Sequence, residues 1–563
     1  MMKMKLFLLF SSLLLVSSTV TYPAKAEANT KETTKDMKQK KEKSPLSDID
    51  VPNRPPKNPF LVDGSSGLTH LDSAQTDSTV IPGPSGKKKI SKKQIQRMPG
   101  GLINISYVSG PVYPTGEQVI WLANNNRIAK VLIDDDQFKP ISEFKIPGQA
   151  YLSRKDANKV TNKMDSFKSE KDLLHYINKE FPKYGENVAA RSGVYPVMDY
   201  EGNFYTVVNE SIMVFGDKNP HDPFSEIELR RQYTLPKEIL SPNAKLPDAI
   251  LGLNITYDGQ LVFATLGGVV GVIDRYFQEE PQYIKLDGET ISNSFSLDEK
   301  GGIYVVSSKH MNKFVWDGEK LSNNPEDGAW KSEYNVEEGA AGGIKLDIGS
   351  GSTPTLMGFG DDEDKLVVIT DGSKAMNIVA FWRDEIPENF QQQPGTKSNR
   401  IAGQMKVNFG QKNVEEAQSE QSVAVLGYGA FVVNNTLPDK LQTKIENVIV
   451  SGVTRQGPKG VEKFEWDSKK NEWKSKWADP NMSAPSVIPL ISAGSNQAYF
   501  NRYVDGAWEI TGLDWDTGKV KTRLILGDSQ AYNGAYSLIQ LLPNGDIVYG
   551  GLTGYLKINT NKK

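Results

Sequence analysis

Cysteine is absent from the 563 residues, which excludes disulfides, thiolate metal sites, a cysteine nucleophile and a lipid-anchored cysteine. Histidine is scarce, with 4 residues, so imidazole chemistry has few positions to come from. No serine sits in a Gly-x-Ser-x-Gly nucleophile elbow. Past the N-terminus no apolar run is long enough for a transmembrane helix. A basic excess is also missing. The formal charge is −3, which argues against nucleic acid as the partner.

The first 26 residues read as a secretory signal. Lys3 and Lys5 precede the apolar run Leu6–Val16, and Ala24-Lys25-Ala26 offers a small-x-small cleavage site. This predicts a secreted or periplasmic protein. Loss of Lys3, Lys5 and Lys25 carries the charge to about −6, distributed as roughly +5 over 27–100 and −11 over the rest. Residues 27–100 are expected to be a disordered charged and Pro-rich leader. Lys35–Lys43, Pro52–Pro59 and the KKKISKK run at Lys87–Lys93 leave too few apolar residues to offset the entropy of ordering. The lysine run reads as a solvated tether or a contact with an anionic surface.

From about 101 to 563 the texture is β. Ile103–Val108, Gln118–Ala123, Arg127–Ile133 and Phe138–Ile146 read as four strands joined by tight turns. A helical insertion is expected over about 155–184, where Ser169 can cap and Leu173, Leu174, Ile177 and Phe181 recur at helical spacing before Pro182. Similar β units then follow, centred on Val194–Phe215, Ile250–Asp274, Ile291–Asp317, Gly349–Trp382, Gln421–Asn435 with a later hairpin around Val461–Asp467, Ser486–Asp516 and Tyr536–Asn559. Turns such as Glu201-Gly202, Asp258-Gly259, Gly301-Gly302 and Asn544-Gly545 accept positive φ. One such sheet cannot bury both faces, whereas a ring of them can. The expected fold is an all-β propeller of about eight, alternatively seven, four-stranded blades.

The segment Gly512–Gly527, GLDWDTGKVKTRLILG, resembles the repeat of pyrroloquinoline-quinone-type propellers, as do Thr353-Pro354-Thr355 and Ser483-Ala484-Pro485 leading into strands. That resemblance implies a propeller. It also raises a quinone cofactor, but quinoprotein alcohol dehydrogenases carry an adjacent cysteine pair near the cofactor, and this chain has none.

Two function classes follow. One is a binding module that takes a small molecule, polymer or protein on its turn-rich face. The other is a quinoprotein-like oxidoreductase or lactonase-type hydrolase with a metal or cofactor in the central channel. For acid–base work His310 is the candidate, with Asp371 or Asp505 to orient it and Arg502 to hold an anionic group. Inner-strand polar residues Asn254, Ser294, Thr355 and Gln540 are the channel candidates. For Ca²⁺ or another divalent ion, the oxygen ligands on offer are Asp199, the run with Asp361, Asp362 and Asp364, and Asp134–Asp136. The tryptophans at strand ends, Trp316, Trp466 and Trp515, are read as packing between blades.

Overall fold

The computed structural model describes residues 51–561, apart from 64–65, 125, 134–137, 149–150, 182–193, 244–246, 339–347 and 438–443. The expected signal segment, the first third of the leader (27–50) and Asp134–Asp136 lie outside the described residues.

The chain forms eight sheets, each a blade of a β-propeller. Blade one is the meander Ser106–Val112, Gln118–Asn124, Arg127–Leu132 and Pro140–Lys145. Blades two to seven begin at Val197, Ile250, Ser296, Thr355, Ala424 and Leu490. Blade eight takes its three inner strands from Gln540–Leu541, Ile547–Gly551 and Gly554–Ile558, and its outer strand from Ile95–Pro99. First and last parts of the body thus pair in one sheet, and no blade edge is left open at the seam. Apolar residues on both faces of each blade form clusters that span neighbours, such as Met357, Val368, Ala380, Val425, Phe464 and Trp466 between blades five and six.

Blade junctions are also fastened by polar contacts. The Trp316 indole of blade four donates to Asp258 of blade three at 2.8 Å, and the Trp466 indole of blade six donates to Asp364 of blade five at 2.6 Å. Within blades, Asp199 accepts from the amides of Glu201 and Asn203 and from the Tyr205 hydroxyl. Asp298 does the same with Lys300, Gly302 and Tyr304. The Asp514-Trp515-Asp516-Thr517-Gly518 hairpin follows similar logic, with Asp514 accepting from the Thr517 amide and hydroxyl at 2.8 and 2.7 Å. The propeller-type motif read from the sequence is therefore a turn-forming device.

The leader requires a correction. From 51 to 100 it is ordered, and the body begins before 101. Pro52 crosses blade six at Gly427, and Asn53 bonds Asp361 and Asp362 of blade five. The Tyr257 hydroxyl of blade three donates to the Pro56 carbonyl. The chain then enters the channel. Carbonyls of Ser66, Gly67, Ser73, Ala74, Thr76 and Asp77 accept, in turn, the amides of Ser109, Met198, Leu297, Leu356, Val425 and Ile491, at 2.7–3.0 Å. These six amides belong to inner strands of blades one, two, four, five, six and seven, while Asn58 Nδ2 reaches the Ile255 carbonyl of blade three at 2.7 Å. Close curvature is achieved with positive φ at His70, Leu71, Gln75 and Asp77. The segment leaves past Gly494, where a Cβ would stand 2.3 Å from the Val80 carbonyl oxygen. Gly86–Lys89 then lies parallel to the outer strand of blade seven, with Lys87 and Lys89 exposed. Sparse apolar content misled the expectation because order here comes from hydrogen bonds to other strands.

Among the described residues, the insertion between blades one and two holds the helices Arg154–Ser166 and Glu170–Glu180. Ser153 and Ser169 cap them by accepting from the amides of Asp156 and Asp172. Val160, Met164, Leu173 and Ile177 pack against Val448 and Ile449 of a third helix, Lys444–Val450, which the sequence reading did not anticipate.

Two stability effects are expected. Asn58→Ala leaves Ile255 and Ser73 without its amide and should cost about 1–3 kcal/mol in urea unfolding. Asp514 titrates at about 2: its burial acts upward, but Lys521 and Thr517 outweigh it. Its folded value lies below the ordinary one, so its contribution is present above about pH 4 and fades as pH falls towards 2. Asp514→Asn should therefore cost on the order of 1 kcal/mol at pH 7, after solvent screening, and almost nothing at pH 2.

Candidate functional site

Inner strands start on the same face that carries the turns between second and third strands. The larger insertions open there too: 146–196 between blades one and two, 334–354 between four and five, and 434–458 in blade six. At the centre of this face lies a cavity lined by residues that lead into the inner strands. Ile105, Tyr195, Leu251, Asn293, Glu420, Ser422, Ile488 and Tyr536 come from seven different blades. About 30 Å³ is free, room for about two waters.

The channel segment forms the floor. His70 Nδ1 meets Asp77 Oδ1 at 2.8 Å, and both side chains are fully buried. Burial pushes the Asp77 carboxyl up, against the opposing pull of His70. The Tyr195 ring stacks on His70 with centroids 5.8 Å apart. Its hydroxyl donates to Asn293 Oδ1, which also accepts from Thr353 Oγ1 at 3.0 Å and from the Ser294 amide at 3.0 Å. Asn293 is thus fixed as a hub beneath the cavity. Tyr195 and Tyr536 are driven far above the ordinary phenol range, first by burial and then by the Glu420 charge. Both phenols remain neutral donors and acceptors at any physiological pH.

Backbone strain gathers at the same place. Tyr195, Ala535 and Tyr536 have φ of 51°, 40° and 63°. Bulky residues in the left-handed region cost on the order of 1–3 kcal/mol each, and such strain clusters at ligand sites. The Ser422 hydroxyl and both amide atoms of Gln421 are buried without a hydrogen-bond partner.

The predicted catalytic group does not assemble. His310 Nδ1 faces Glu289 Oε1 at 2.9 Å, and neither Asp371 nor Asp505 orients it. Glu289 is also held by Ser307 and by Lys331 at 2.7 Å. Asp371 is buried in its own blade, bonded to Ser373 and Asn377. Asp505 stands exposed at a hairpin tip, and Arg502 is committed to Glu509 at 2.8 Å. These four therefore occupy three separate places.

The channel candidates do face inward, but their partners belong to the protein. Asn254 Nδ2 approaches the Ser73 carbonyl at 3.5 Å, Thr355 donates to the Val423 carbonyl, and Gln540 donates to Ser109. Ser294 is buried against Gly252. The metal candidates are likewise engaged. Asp199 pairs with Arg275 at 2.6 Å, Asp361 and Asp362 are bound by Asn53, and Asp364 accepts the Trp466 indole. Among the described residues no three His, Asp or Glu side chains converge as a metal site.

The sequence reading missed Tyr195, Asn293, Glu420 and Tyr536. Their shared signal is positional. Each falls in or beside a short run of small polar residues just ahead of an inner strand, as in Ser292-Asn293-Ser294 and Ser419-Glu420-Gln421-Ser422.

No family profile matches the chain. An uncharacterized protein of Archaeoglobus fulgidus is 38% identical over 379 residues, covering 65% of this chain and 70% of the relative. The chain belongs to the family of that archaeal protein. Among solved structures, Saccharomyces cerevisiae Sqt1 aligns with a TM-score of 0.44 at 9% identity, covering 85% of this chain and 99% of its own. The β-propeller domain of Myceliophteria thermophila Cps50 (Swd1) aligns with a TM-score of 0.36 at 8% identity, covering 63% and 92%. A functionally unknown protein of Desulfotomaculum acetoxidans gives a TM-score of 0.35 at 9% identity, covering 72% and 95%.

A test of the His310 assignment follows. Glu289→Gln should destabilise the fold by about 1–3 kcal/mol at pH 7, because Ser307, His310 and Lys331 all converge on the carboxylate. His310→Ala leaves the other two contacts and should cost less than about 1 kcal/mol. Equal losses in thermal unfolding would show that the imidazole is indispensable there.

Proposed function

We propose that this is an exported binding module whose ligand is received on the turn-rich face, over the cavity bounded by Tyr195, Glu420, Ser422 and Tyr536. The observation that carries this reading is the occupied channel. In a quinoprotein- or lactonase-type propeller, a cofactor or metal would sit at the centre of the ring. Here that space holds the chain's own Ser66–Thr79, bonded to inner strands around the ring. The one buried imidazole near the cavity, His70, lies beneath Tyr195 with a side chain only 1% exposed, so a substrate on the face cannot reach it.

The lining of the cavity suits recognition. Neutral phenols, an amide, a carboxylate and the unsatisfied Ser422 hydroxyl surround a small space. A preformed, strained rim with unmet hydrogen-bonding capacity gains most when a ligand supplies the missing partners. The exported location rests on the Lys3–Ala26 signal pattern.

Metal analysis and an absorption spectrum of the full-length protein, purified from its natural host, test the reading. The binding module is expected to carry neither a stoichiometric divalent ion nor a quinone band. Either one would shift the assignment to the enzyme class.

A further inference from the structure

Blade four departs from its neighbours at its outer edge. Blades three and five each have one continuous outer strand, Gln282–Lys285 and Ile401–Lys406. In blade four that strand is split. Leu321–Ser322 pairs with Val315 and Trp316, the chain then loops out through a single helical turn at Pro325–Asp327, and Trp330–Glu333 resumes pairing with His310–Lys313. Beside the break, towards blade five, lies a cavity of about 570 Å³ lined by Lys300, Lys313, Trp330, Lys331, Asp384 and Arg400, together with loop residues. A smaller space of about 250 Å³ on the other side shares Lys313, Trp330 and Lys331 and adds Lys285.

The charges here do not balance. Lys300 and Lys313 both lean on Asp384, at 3.6 and 3.4 Å. Arg400 lies over the Trp330 ring at 5.1 Å and gives its Nη1 to the carbonyls of Trp382 and Asp384. Among the described residues, no acceptor is bonded to its Nε or Nη2. Arg383 adds a further cation behind Asp384, its side chain buried with Nε and Nη1 unpartnered. Lys331 is already paired with Glu289. Four cations, Lys300, Lys313, Lys331 and Arg400, thus line the cavity against two carboxylates, Asp384 and Glu385, while Glu326 and Asp327 sit in the adjoining loop. Although burial acts upward on Asp384, Lys313, Arg383 and Lys300 hold it below the usual carboxylate range. Its negative charge is therefore permanent at neutral pH, and the cationic excess is unchanged by ordinary shifts of pH.

A water-exposed cluster of this kind favours anions, and a cavity of this size fits a ligand of roughly disaccharide dimensions. The Arg400 guanidinium is held over an aromatic ring and lines the cavity, and a guanidinium suits paired oxyanion oxygens.

We propose that the gap in the outer strand of blade four is a second binding site, which takes a small molecule carrying two oxyanion groups through Lys300, Lys313 and Arg400. The oxyanions can be carboxylates, as on an acidic saccharide, or phosphates. This site is independent of the central cavity and stands whether or not the binding-module reading holds.

Isothermal titration of the full chain with digalacturonate in one arm and pyrophosphate in the other, with lactose as the neutral control, tests the site. At least one of the two anions should bind, lactose should not, and the affinity should fall as salt rises. The arm that binds identifies the oxyanion. Lys313→Ala should weaken binding by about tenfold, because that ammonium is largely enclosed. Lys300→Gln, at the exposed rim, should weaken it by about twofold to threefold without any effect on folding. Failure of both anions to bind overturns the proposal, as does binding that Lys300→Gln and Lys313→Ala leave unchanged.

Discussion

Six backbone carbonyls from one buried stretch hold the ring from the inside. Each accepts an amide from the inner strand of a different blade, between Ser66 and Asp77. Inner-strand amides at a propeller's axis face a space too narrow for regular pairing and too dry to leave them unmet, and an unpaired buried amide costs roughly as much as a lost hydrogen bond. Other solutions are water or a ligand. This protein supplies its own strand, and the consequences run through the rest of the structure. The channel is closed, the N-terminal part is fixed to the ring, and the outer strand of blade eight is delivered by the same piece of chain.

That arrangement also accounts for the acidic residues that looked available in the sequence. Asp199 and Asp298 each close a hairpin through two amides and a tyrosine hydroxyl. Asp258 and Asp364 receive indole N–H groups from the next blade along. Carboxylates in these positions are saturated by neutral donors and by Arg275, so their oxygens are spent on shape. A repeat protein needs the same joint many times, and recurrence of Asp near a turn or of Trp at a strand end is its signature.

The all-β ring was legible because turn chemistry and β-branched, aromatic runs recur at similar spacing, and Gly512–Gly527 carried the clearest copy. The helical insertion was legible from Ser169 and the Leu173–Ile177 spacing, whereas Lys444–Val450 is too short for its period to stand out. Order in 51–100 was not legible. Composition reports whether a segment can bury apolar surface of its own, and this one is ordered by borrowed partners. The same limit applies to the central cavity. Tyr195, Asn293, Glu420 and Tyr536 are far apart in the chain, and only the closure of the ring brings them together. His310 failed as an acid–base candidate because its carboxylate partner, Glu289, comes from the turn ahead of its own blade and was not considered.

In a ring whose backbone is paired strand to strand, ligands have to meet the protein where the repeat is broken. Regular blades use their backbone groups on one another and their acidic turns on their own hairpins or the next blade. Two places differ. On the turn-rich face, Tyr195 and Tyr536 are held at unfavourable φ around the orphaned Ser422 hydroxyl. At blade four the outer strand is interrupted and cations outnumber the carboxylates that serve them. Strain and charge imbalance both cost stability, and a cost kept at a ligand-sized opening is one that binding can offset. The locations of the irregularities, more than the propeller itself, are what the structure says about function.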